Sequence, residues 1–65
     1  HGVARHLLEA MEQWAREQGY RSLHFKTRNH LKPMLIFGLK NGFHIYRIEP
    51  RETLEEYRIL LQKDL

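Results

Sequence analysis

At 65 residues, with no cysteine, the chain has room for one small domain and cannot build a disulfide frame or a thiolate zinc site. Its composition, 42% apolar and 29% charged, is that of an ordinary folded protein, and this excludes a disordered tail. The net charge of +3 is spread along the chain and interleaved with glutamate, so it reads as a solvated surface before it reads as a nucleic-acid face.

Residues 2–18 have the periodicity of an amphipathic helix. Val3, Leu7, Leu8, Met11, Trp14 and Ala15 share one face, and Arg5–Glu9 and Glu12–Arg16 are opposite charges four apart. Gly19 stands where a left-handed helix terminus belongs. Residues 21–27 alternate, with Leu23 and Phe25 on one side and His24 on the other, as in a half-buried strand. A helix returning into a strand through a glycine turn suggests part of a β-α-β unit. The strand that would open such a unit is not in the sequence, so the chain reads as cut at its start.

Asn29 to Lys32 is a polar connection, and Pro33 suits the first turn of a second helix. Met34, Leu35, Ile36, Phe37 and Leu39 are too continuous for a one-sided surface helix and predict burial around much of its circumference. Gly38 costs about 1 kcal/mol relative to alanine inside a helix, which implies a close approach there. Lys40-Asn41-Gly42 closes the helix, and Phe43–Glu49 reads as a strand stopped by Pro50. Residues 54–64 support two readings. Thr53-Leu54-Glu55-Glu56 has the form of a capping box, with Leu54, Tyr57 and Leu61 as a helical stripe, whereas Tyr57, Ile59 and Leu61 alternate as in a strand. The local pattern leans to helix.

The start of the first helix carries the clearest chemistry. The first four amides of a helix lack intrahelical partners, and the macrodipole puts positive charge there. Gly2 and Ala4 are small enough to let an anion reach those amides, a phosphate or pyrophosphate fits best, and Arg5 adds charge. Taken alone this is only an anion-friendly helix start. No Gly-Lys-Ser/Thr follows, and a single glycine does not make a dinucleotide fingerprint.

The order of features is similar to the GNAT acetyltransferase family from its acetyl-CoA motif, Gln/Arg-x-x-Gly-x-Gly/Ala, to its C-terminus. Gly2 and Ala4 match the last two fixed positions of that motif, and its Gln/Arg would fall before His1. Leu39-Lys40-Asn41-Gly42-Phe43 resembles the family's Lys-x-Gly-Phe helix end. The resemblance covers the whole chain, as the C-terminal part (1–65) of a single acyltransferase domain. It implies an α+β partial GNAT fold, ordered helix-strand-helix-strand-strand, in a mixed sheet lacking its N-terminal strands. Residues 21–27 would lie parallel to a missing strand, and 55–64 would be the final strand, against the local lean to helix.

The resemblance also implies a function: transfer of an acetyl group from acetyl-CoA to an amine of unknown identity; the cytoplasm is the default location for a sequence with no legible membrane span or signal peptide. Val3, Ala4 and Arg5 would hold the pyrophosphate, Gly2 would keep the approach open, and Asn29 would bind or position the pantetheine arm. Many members carry a tyrosine four residues before the glycine of Gly-Phe, where it can protonate the leaving thiolate. This chain has Gly38 there, so the catalytic acid and base are unassigned. The 65-residue piece is expected to be inactive alone and prone to homodimerise through an exposed sheet or an exchanged strand.

Other readings carry less. The five histidines lack the paired spacing of a metal site. Glu55 and Glu56 read as solvated charges, and Trp14 and Phe37 as core. No apolar run approaches the roughly 20 residues of a membrane span, and the start lacks the apolar core of a signal peptide. The rival function is a non-catalytic interaction module that docks a partner through the apolar helix 33–41.

Overall fold

The computed structural model describes residues 2–65, so His1 lies outside the described residues. Helix α1 (Gly2–Glu17) leads to strand β1 (Ser22–Arg28), helix α2 (Lys32–Lys40), strand β2 (His44–Glu49), a short 3₁₀ turn (Leu54–Glu56) and strand β3 (Arg58–Asp64). This is the expected α+β order. Both helices end in the same way. Gly19 (φ 86°) and Gly42 (φ 90°) take the left-handed conformation. Tyr20 N–H then donates to the Ala15 carbonyl, and Phe43 N–H to that of Gly38, each at 2.9 Å.

The strands form one antiparallel sheet in the order β1-β3-β2, with the last strand in the middle. Phe25 pairs with Leu61 and Thr27 with Ile59, and on the other side Ile45 pairs with Leu61 and Ile48 with Ile59. The register slips by one residue around Tyr46, between Ile45 and Arg47. Every pairing within the chain is antiparallel. No parallel pairing occurs among the described residues, and β1 is an edge strand of the sheet.

The central place of β3 settles the ambiguity at 54–64. Ile59 (4% exposed) and Leu61 (0%) lie between two ladders, and a helix would forfeit both ladders and their burial. The capping-box segment is not idle. It makes a single 3₁₀ turn, in which Thr53 Oγ1 donates to the Glu56 carboxylate (2.9 Å) and caps no amide. The helical signal thus governs one turn and the strand signal the remainder.

Both helices lie on one face of the sheet. From α1, Glu12 reaches Lys63 (2.9 Å), and from α2, Gly38 sits on Phe25 and Leu61; all three partners project from that face. A Cβ on Gly38 would come within 2.7 Å of Phe25 Cζ and 3.3 Å of Leu61 Cδ2. This is the close approach that a mid-helix glycine implied. Phe43, Ile59 and Leu61 form the buried core, with Leu8, Leu23, Phe25 and Leu35 against it. Phe25 and Phe43 meet edge to face, their centroids 4.9 Å apart. The opposite face is polar: His24 meets Tyr46 there and Lys26 meets Glu49.

Two expectations need correction. Trp14 is 57% exposed and not core, and Phe37 is only half-buried. Nor is α2 buried around its circumference, since Gly38 is its one buried residue and Met34, Ile36 and Leu39 are about half exposed. The reason is geometric. A three-stranded sheet covers one side of each helix, and nothing among the described residues lies over the outer sides.

Glu12 is the buried carboxylate of the structure (6% exposed), held by Lys63 at 2.9 Å and Arg16 at 3.7 Å. Removing Lys63 leaves a buried charge short of its main partner. Lys63→Ala is expected to lower stability by about 2 kcal/mol, less than for a fully buried pair because Arg16 remains. Gly38→Ala gains helix propensity but drives a methyl into Phe25, for a net loss of about 1–2 kcal/mol. Urea titration of each variant followed by circular dichroism measures both.

Candidate functional site

The N-terminal halves of the two helices face each other across a groove. Ala4, Leu7 and Met11 of α1 and Pro33, Met34 and Phe37 of α2 line an open apolar groove of about 360 Å³. Since α2 begins three residues beyond Asn29, the groove, both helix N-termini and the end of β1 share one end of the molecule. The sequence folds this way because the α1 terminus at Gly19 returns the chain along the helix, and Pro33 starts α2 immediately after the strand.

The electrostatics of this end favour an anion. Neither helix has an acidic residue in its first turn, and Leu31 makes no side-chain cap for α2. The N-terminal amides therefore carry their partial positive charge without a neutralising carboxylate. Val3 is 82% exposed and Ala4 is exposed, so the α1 amides are open to a ligand. Gly2 has open space around it, its nearest neighbour to an added Cβ being His6 Cε1 at 4.0 Å. A side chain would fit there, so the glycine relieves no clash. Arg5 pairs with Glu9 at 3.3 Å, but both are well exposed, so the pair is weak and leaves the guanidinium available.

Asn29 is more committed than its place in a polar connection suggested. Its Nδ2 donates to the Leu54 carbonyl (3.0 Å), its Oδ1 accepts from Lys32 Nζ (3.3 Å), and its backbone N–H donates to Tyr57 (2.8 Å). A carboxamide has two N–H donors and two lone pairs, so one of each remains for a ligand. The structure thus places Gly2, Val3, Ala4 and Arg5 together on the first turn of α1, and Asn29 on a separate element at the same end.

Thr27 escaped the sequence reading. Its hydroxyl is buried at this end of β1, on the helix-bearing face, with no protein partner among the described residues. The available signal was a hydroxyl in the inward phase of the Leu23-Phe25-Thr27 alternation. Position 38 is also explained. A tyrosine ring there would enter the space of Phe25, so this position supplies no acid. Tyr46 does not substitute, because it contacts His24 on the sheet face away from the helices. Among the described residues no three His, Asp or Glu side chains converge on a metal-sized site, and no helix is long and apolar enough to cross a membrane.

The arrangement suits an elongated ligand with an anionic part on the helix amides and an apolar body along the groove. It contains no nucleophile paired with a base.

Comparison with known proteins agrees with this reading. Residues 1–43 match the model of the acetyltransferase (GNAT) family. The fold matches a crystal structure of a GNAT family acetyltransferase from Elizabethkingia anophelis with acetyl-CoA bound, with a TM-score of 0.83 and 26% identity. That match covers 98% of this chain and 50% of the other, so the chain spans about half the length of its solved relative. No curated protein matches. The family match takes in both helices, β1 and the Gly42-Phe43 helix end, and on that evidence the chain belongs to the GNAT acetyltransferase family.

Proposed function

We propose that this chain is the acetyl-CoA-binding part of an N-acetyltransferase that acts on an amine. The observation that carries the reading is the carboxylate-free first turn of α1 beside an apolar groove, in a chain of this family. Coenzyme A has the matching chemistry, a pyrophosphate joined to a long, largely uncharged arm. The amides of Val3 and Ala4 hold the pyrophosphate, Arg5 adds charge, and Gly2 leaves the approach clear. Asn29 offers its remaining N–H and lone pair to the pantetheine amides. Acetyl-CoA bound by the solved relative supports the same ligand here.

In the reaction the neutral amine attacks the thioester carbonyl, its proton passes to a base, and the departing thiolate is protonated. With Gly38 against the core, the acid comes from elsewhere than the α2 position that many members use. The work of these residues is to hold and orient the cosubstrate. The cytoplasm, where acetyl-CoA is made and used, is the location that fits.

The 65-residue chain itself is proposed to be catalytically silent and to self-associate. One long edge of β1 is unpaired, and Val3, Leu7, Met11 and Trp14 are each more than half exposed. Unpaired edges and exposed apolar patches favour association with a second copy. Sedimentation velocity on the chain is expected to give a concentration-dependent dimer. A monomer at high concentration would count against that expectation.

Two measurements test the cofactor reading in the full-length enzyme that carries this sequence. Calorimetry is expected to show acetyl-CoA binding, and absence of heat at millimolar ligand would overturn it. Gly2→Glu is expected to weaken binding at least about tenfold, or about 1.4 kcal/mol, because its carboxylate competes for the same amides. The open space around Gly2 means that this substitution does not disturb the fold. Thermal denaturation of the variant checks that separately.

A further inference from the structure

Asn29 and His30 make an unusual number of bonds to one distant segment. Besides the Asn29 bonds to Leu54 and Tyr57, the His30 backbone N–H donates to the Glu55 carbonyl (3.1 Å), and His30 Nδ1 lies 3.0 Å from the same oxygen. All the donors come from the end of β1, and all the acceptors are carbonyls of residues 54–57. The Glu55 carbonyl takes both His30 contacts, the Leu54 carbonyl takes Asn29 Nδ2 beside the Tyr57 N–H of its own turn, and the Tyr57 carbonyl, just past the turn, takes the Asn29 N–H. A carbonyl only accepts, so His30 Nδ1 must carry a hydrogen, and in neutral imidazole that fixes the tautomer.

We propose that Asn29 and His30 are positioning residues, a latch that holds the loop between β2 and β3 (50–57) against the end of β1. The latch sets the orientation of the Asn29 carboxamide, because its Nδ2 is tied to Leu54 and its Oδ1 to Lys32. The donor and lone pair left for pantetheine are thereby aimed by the loop, and this part of the inference rests on the cofactor reading above. Loop order and cofactor affinity are then linked, and the link is reciprocal. His30 touches no ligand in this scheme and acts through Asn29.

The test separates the latch from the cofactor reading. Amide exchange, read by nuclear magnetic resonance without ligand, reports the latch at Glu56 and Tyr57, whose N–H groups donate within the turn. Asn29→Ala and His30→Leu are each expected to speed exchange there by about tenfold, with Phe25 and Leu61 in the sheet ladder unchanged. His30→Asn keeps a donor at the δ position and is expected to restore protection. The ring nitrogen shifts of neutral His30 should show the Nδ1–H tautomer. Acetyl-CoA titration should show that His30→Leu weakens binding several-fold and that His30→Asn recovers it. Unchanged loop exchange, an equal rise in the ladder, or an Nε2–H tautomer would overturn the latch. If the exchange results appear but the wild type binds no acetyl-CoA, the latch holds the loop and the cofactor reading fails.

Discussion

The contact on which the rest of the structure depends is the seat of Gly38 against Phe25 and Leu61. It lets the backbone of α2 approach the sheet more closely than any side chain would allow. From that seat the helix ends at Gly42, and Phe43 is delivered against Phe25 as part of the buried core. With α2 seated there, its Pro33, Met34 and Phe37 face Ala4, Leu7 and Met11 of α1 across the open groove. The same seat also takes position 38 out of chemistry. A residue that many family members use near the reacting thiolate is here consumed by packing.

The second constraint is electrostatic. The carboxylate of α1 that is buried, Glu12, lies in the middle of the helix and is matched by Lys63 from the central strand. This ion pair fixes the helix over the sheet, while the first turn stays free of acid. Burial of a charge is tolerable only with such a partner, and the partner can reach it only because β3 is central. The positive end of the helix is then presented at the surface, undiluted, beside an apolar groove.

Some of the site was legible in the sequence because its determinants are local. The small residues of the first turn of α1, the absence of acid there and the glycine at the end of each helix are all properties of a few neighbouring positions. The bonding of Asn29 and His30 was not legible, because their partners are about 25 residues away and are backbone carbonyls, which every residue carries. The unpartnered hydroxyl of Thr27 was half legible. Its inward phase follows from strand alternation, but whether an inward hydroxyl finds a partner depends on what packs above it. The exposure of Trp14 was misjudged for a related reason. Helical spacing identifies an apolar stripe, but not whether the fold has enough material to cover it.

By itself the sequence determined the two helices, their glycine ends, the strand alternation and a first turn of α1 free of carboxylates. These rest on periodicity, conformational freedom and unpaired amides, all of which act within a few residues. Tertiary structure decided that 58–64 is a strand, that this strand is central and that the loop before it is fastened to the end of β1. Those outcomes turn on ladders and burial between residues far apart in the chain. A single 3₁₀ turn at Leu54–Glu56 is what remained of the local preference for helix once the ladders to β1 and β2 had formed.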